Sequence, residues 1–206
     1  MKTKIFYLVI LLCINYFSVD SQNLINTSSW TVGSGSVSGF GQHGETSENN
    51  RELGSNSQGN SVLLWKASPN SNGGSSGGFN TDFFNIDNKK TYRFAIWIKK
   101  TNSNDGSSLF GSLSNSNTIL NLDGTTQSSP YFLIGDLPQL NKWYLLVGYI
   151  HGSNYDSVIS YGAIYDGGSG QKTHSLTDFK FDNNPMQNPF TGFIFPVLYF
   201  SESKLT

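Results

Sequence analysis

The sequence predicts an all-β protein, a sandwich of two antiparallel sheets. Three observations predict it. Residues 91–100 alternate, with Tyr92, Phe94, Ile96 and Ile98 on one side and Arg93, Ala95, Trp97 and Lys99 on the other, which is the period of two that a β-strand imposes. Apolar runs of this kind are short and are separated by turn signals such as Asn104-Asp105-Gly106, Asp123-Gly124 and Asp166-Gly167-Gly168, the punctuation of sandwich folds. No stretch carries the 3.6-residue apolar spacing of an amphipathic helix.

The elements follow in order. A short opening strand is expected at 29–32. Residues 33–60 read as a long Gly/Ser/Asn loop pinned by Val37, Phe40 and Leu53, with Glu45, Glu48, Arg51 and Glu52 as solvated loop charges. Strands are expected at 61–67, at 91–100 after a lead-in over 79–86, and at 108–113, 118–122, 130–134, 143–151, 157–165, 175–181 and 193–200. Pro196 implies that the last of these is kinked or lies at a sheet edge.

Residues 1–21 read as a secretory signal peptide. Lys2 and Lys4 precede an apolar run at 5–17, and Val19-Asp20-Ser21 offers small residues for cleavage before Gln22. The run is too short for a comfortable membrane span, and Cys13 lacks the small residues expected before a lipidated cysteine. The protein is therefore expected outside the cytoplasm, secreted, at the cell surface or in the periplasm, with residues 22–206 forming one domain. Cys13 is the single cysteine, so that domain has no disulfide and relies on its core. Losing Lys2, Lys4 and Asp20 moves the net charge from −1 to about −2, which argues against nucleic acid as a partner because backbone binding needs a basic patch.

The strand at 91–100 also carries the candidate chemistry. Its apolar side suffices for a core, so Trp97, between Arg93 and Lys99, is free for a ligand. A pyranose offers a C–H face to an aromatic ring and hydroxyls to polar groups. Trp97 and Arg93 meet that requirement, with Trp65 as a second stacking ring. Tyr149 and His151 share one strand face, and Tyr161 shares another with Tyr165. Trp30 and Trp143 are assigned to the core. Glycoside hydrolysis needs two facing carboxylates, yet Asp105, Asp123, Asp136 and Asp166 all sit in turns, where Asp supports the turn itself. A lyase needs a His or Tyr base and a cation, which His151, Tyr149, Tyr161 and Arg93 could supply, but no lyase-like motif accompanies them. No two histidines have zinc-ligand spacing. Asp82 and Asp87, with Asn85, and separately Asn102, Asn104 and Asp105, are oxygen-rich sets for a structural calcium, although neither matches an EF-hand loop.

Segments 29–35, 62–67, 91–101 and 137–152 together resemble a group of exported bacterial jelly-roll domains, similar to the carbohydrate-binding modules of secreted polysaccharide-degrading enzymes and also found in surface and tail-fibre-like proteins. The run Tyr92-Arg93-Phe94, followed by Trp97-Ile98-Lys99-Lys100, is its most specific part. The resemblance implies a concanavalin-like or galactose-binding-like sandwich, a glycan ligand, an optional structural calcium and no catalytic activity. Relatives place an Arg and an Asp on the closing strand, whereas 195–200 carries neither. The reading is thus a non-catalytic, exported domain that binds a polysaccharide or surface glycan and associates with secreted enzymes or surface assemblies. The alternatives are a structural or adhesive surface protein without a sugar site and, third, a polysaccharide lyase or hydrolase.

Overall fold

The computed structural model describes residues 24–68, 77–101, 107–114, 119–127, 130–183, 190–195 and 198–205. The signal peptide at 1–21 and the oxygen-rich set at Asn102, Asn104 and Asp105 lie outside these residues. The strands are β1 (Gly33–Ser34), β2 (Phe40–Gln42), β3 (Asn49–Ser55), β4 (Ser61–Ala67), β5 (Phe79–Thr81), β6 (Tyr92–Lys100), β7 (Ser108–Ser114) and β8 (Ile119–Asn121). They continue as β9 (Thr126–Gln127), β10 (Tyr131–Gly135), β11 (Trp143–His151), β12 (Ala163–Asp166), β13 (Lys172–Ser175), β14 (Phe179–Phe181), β15 (Phe190–Phe195) and β16 (Leu198–Leu205). A 3₁₀ turn at Thr46–Glu48 is the helical element among the described residues.

Two sheets form the sandwich, as the sequence predicts. The larger has eleven strands and runs β1-β3-β4-β16-β6-β11-β14-β8-β9, with the β12–β13 hairpin joined to β11. The smaller has five strands in the order β10-β7-β15-β5-β2. Pairing is antiparallel except where β14 runs parallel to β11. Phe94, Ile96 and Ile98 of β6, with Tyr144, Leu146 and Ile150 of β11, face Phe40, Phe79, Phe110 and Phe132 of the smaller sheet across one core. The rings interlock: Phe132 lies 5.1 Å from both Phe94 and Phe110, and Trp65 lies 5.1 Å from Phe79. Gly148 makes room for this. It sits on the core face of β11, and a Cβ there would lie 2.3 Å from the Phe132 ring.

The structure departs from expectation at four places, one of them the single strand expected at 175–181, which is two strands, β13 and β14, with different partners. The stretch 33–60 is not a loop: it contains β2 and β3, and the opening strand is Gly33–Ser34 rather than 29–32. Leu53 points outward and is exposed, while Glu48, Asn49 and Arg51 are buried. β3 buries polar residues because side chain to backbone bonds satisfy them. Asn49 Nδ2 donates to the carbonyls of His43 and Glu45, its Oδ1 accepts from Trp65 Nε1 and the Gly78 amide, and Arg51 donates to the carbonyls of Thr31 and Gly35. Burial also pushes the Arg51 guanidinium below its usual range. The expected strand at 157–165 is shortened to Ala163–Asp166. The closing segment is two strands in different sheets: β15 lies between β7 and β5, and β16 lies between β4 and β6 in the middle of the larger sheet, not at an edge.

Replacing Gly148 with Ala should destabilise the fold by about 1–3 kcal/mol, because the added methyl meets a packed ring from the opposite sheet. Urea unfolding of the variant measures this, and an unchanged midpoint would mean that the two sheets are not packed this closely.

Candidate functional site

The β6–β11 register builds the outer face of the larger sheet. Arg93 lies opposite Tyr149, Ala95 opposite Val147, Trp97 opposite Leu145 and Lys99 opposite Trp143. Facing residues in an antiparallel pair point the same way, and the smaller sheet covers the other side. On the far edge of β11, Tyr165 lies opposite Leu145. The result is an open depression of about 460 Å³. Its floor is Leu145 and Val147, its rings are Trp97, Tyr149 and Tyr165, and Arg93, Asp166, Gly167 and Gly170 complete the lining.

The charges in this depression are separated. Asp166 is paired with Lys142 and accepts the turn amides of Gly168 and Ser169 at 2.9 and 3.0 Å. The Lys142 ammonium, together with those amides, lowers the Asp166 carboxyl to about 2. Asp166 sits opposite Tyr144 and Arg93 opposite Tyr149, a separation along β11 of roughly 17 Å. Arg93 makes no ion pair or hydrogen bond among the described residues. Next to the depression, Lys99 lies over the Trp143 ring at 5.2 Å, so Trp143 is an outer-face residue and not the core residue expected.

Behind Tyr149, β11 changes partner. Its first half pairs with β12 and its end with β14, which leaves the Tyr149 amide without a strand partner on that edge. The buried carboxylate of Asp178 fills the gap. It accepts the amide of Tyr149 at 3.1 Å, of Tyr161 at 2.6 Å and of Gly162 at 3.1 Å, and it contacts His151 Nε2 at 3.2 Å. A Cβ at Gly162 would lie 2.5 Å from Asp178 Oδ1, so glycine is what lets the amide approach. The His151 ring stacks on Tyr155 at 3.9 Å and meets Tyr161 edge-on at 5.9 Å. Burial pushes the Tyr155 phenol up.

Of the six residues expected to hold a ligand, Trp97, Arg93 and Tyr149 line this one depression. Tyr161 is exposed but does not line it, and sits on the loop before β12 rather than on a strand. Two expectations are overturned. Trp65 is fully buried (0% exposed) in the core, because β4 turns Leu63, Trp65 and Ala67 toward the smaller sheet. Its ring lies 5.6 Å from Trp30, which is itself in the core as expected. His151 is 4% exposed, its Nε2 lies against Asp178 and its ring stacks on Tyr155, so it does not line the depression. Asp82 and Asp87 belong to no group of three or more His, Cys, Asp or Glu side chains among the described residues. Asp87 instead accepts the Lys89 amide and pairs loosely with Lys90 at 3.9 Å. The sequence pattern does not reveal Asp178: a lone Asp between Thr177 and Phe179 has no signature, and its role arises from strand pairing distant in sequence.

No family model matches the chain, and no curated protein matches it. Among solved structures, a mutant alginate lyase in complex with an alginate trisaccharide is similar at a TM-score of 0.47 and 16% identity, over 88% of this chain and 95% of that one.

Two outcomes test this geometry. Asp178→Ala leaves three amides unpaired, that of Gly162 buried and those of Tyr149 and Tyr161 part-buried, and should cost about 2–3 kcal/mol, read as a lower denaturation midpoint; a loss below about 1 kcal/mol would show that water replaces the carboxylate. The lowered Asp166 value means that its pair with Lys142 stabilises the fold above the ordinary carboxylate value near 4 and that this contribution is lost as pH falls toward 2. Asp166→Asn should therefore flatten the fall of melting temperature in that acid window, and an unaltered profile would contradict the pair.

Proposed function

We propose that this protein binds carbohydrate on the outer face of its larger sheet and does not cleave it. One observation carries the reading: Trp97, Tyr149 and Arg93 come together in one open depression whose floor is apolar. Sugar rings need that combination, since C–H faces pack on aromatic rings and hydroxyls or charged substituents take the polar group. The ligand class is a polysaccharide or surface glycan, met outside the cytoplasm after export, with secreted enzymes or surface assemblies as the expected company.

Two groups that a catalyst would use, Asp166 and His151, are not poised for it. A general acid needs a raised carboxyl, whereas Asp166 is lowered to about 2. His151 is shut away behind Tyr155 and Asp178. A structural or adhesive role would leave the half-buried Trp97 ring without a use for its outward position.

A glycan array followed by polysaccharide retention tests the proposal. Trp97→Ala should cut retention about tenfold or more with a small change in melting temperature. Trp65→Ala should instead lower stability by about 3–5 kcal/mol. Unchanged retention by Trp97→Ala would remove this site, and wild-type protein that retains no glycan would favour the structural role.

A further inference from the structure

We propose that Arg93 holds the carboxylate of a uronate residue, so that the depression selects acidic polysaccharides over neutral ones. This deepens the carbohydrate-binding reading and rests on it.

Arg93 is half-buried on β6 and lines the depression. Partial burial without a partner is what sets it apart: Lys89 and Lys172 also lack one among the described residues, but both are exposed. Lys66 pairs with Glu52, Lys100 with Asp136 and Lys142 with Asp166. Arg51 is spent on the carbonyls of Thr31 and Gly35, and Lys99 lies over Trp143. Arg93 has no such counterpart among the described residues. A guanidinium partly withdrawn from water without an acceptor is costly, and an anionic ligand removes that cost. The depression's one acid does not supply the anion, because Asp166 is already neutralised by Lys142 and lies roughly 17 Å away along the strand, beyond the screening length at physiological salt.

The surroundings favour a carboxylate attached to a sugar ring. Tyr149 stands directly opposite Arg93. A pyranose stacked on the Tyr149 ring carries its C5 substituent at the ring's rim, and an oxidised C5 substituent is a carboxylate. The planar guanidinium fork matches a carboxylate with two parallel N–H···O bonds, which a lysine cannot reproduce. Trp97 lies two pleats further along the same face, at roughly 13 Å. One sugar does not span that distance, so a chain is read: a uronate at Arg93 and Tyr149, and a later residue on Trp97.

Retention on immobilised polygalacturonate, highly methyl-esterified pectin, dextran and dextran sulfate tests this, using wild type, Arg93→Gln and Arg93→Lys, with melting temperature as the folding control. Wild type should be retained about tenfold more strongly on polygalacturonate than on the esterified polymer, and added salt should narrow the gap. Arg93→Gln should abolish the preference yet keep the weaker retention on esterified polymer. Arg93→Lys should recover only part of it. Equal wild-type retention on acid and ester would overturn the uronate assignment and leave carbohydrate binding standing, as would an acid preference that survives in Arg93→Gln. Retention on dextran sulfate alone would show that Arg93 reads a sulfate ester instead. No retention on any polysaccharide, here or on a glycan array, would overturn both readings.

Discussion

The Asp178 carboxylate is the constraint on which the rest of the outer face depends. β11 serves β6 along one edge but divides the other between β12 and β14. A strand that changes partner leaves backbone amides facing nothing, and a buried amide without an acceptor costs about 1–3 kcal/mol. Asp178 accepts the Tyr149 amide of β11 together with those of Tyr161 and Gly162 on the loop before β12, and takes His151 as a further partner. It thereby fixes the position of Tyr149 in the depression and ties the loop before β12 to the sheet. The buried charge is tolerated because donors surround it.

From that junction the two faces of β11 acquire different work. The inner face carries Tyr144, Leu146 and Ile150 and leaves Gly148 bare so that Phe132 can enter from the smaller sheet. The outer face carries Trp143, Leu145, Val147 and Tyr149, matched by Lys99, Trp97, Ala95 and Arg93 of β6. The core backs the sheet on its inner side, and the open depression on the outer side leaves these side chains available to a ligand. Charge is then distributed unevenly: Lys142 occupies Asp166 at one end, and Arg93 is left with positive charge at the other.

Much of this was legible in the residues. The strict alternation of 91–100 located β6, separated core from outer face and singled out Trp97 with Arg93. β4 and β11 were read with their observed boundaries, 61–67 and 143–151. What escaped was governed by partners remote in sequence. β3 buries Asn49 and Arg51, and the 3₁₀ turn before it buries Glu48, through bonds to backbone groups, so the stretch shows no apolar pattern and reads as a loop. Trp65 and Trp97 both stand in alternating strands, and sequence alone does not say which side of β4 faces the second sheet. The smaller sheet decides it, through Phe79 against Trp65. His151 read as a surface donor because its acceptor, Asp178, lies twenty-seven positions away. The closing segment hid a crossing between sheets that places β16 in the middle of the larger one.

The most direct measurement is nuclear magnetic resonance mapping with a galacturonate oligomer, following the four indole Nε1–H signals. The account predicts that the Trp97 signal and the Tyr149 amide move on titration while the buried Trp30 and Trp65 signals stay in place. Perturbations confined to another surface, such as the cleft formed by Leu24, Phe83 and Phe84, with Trp97 unmoved, would contradict it.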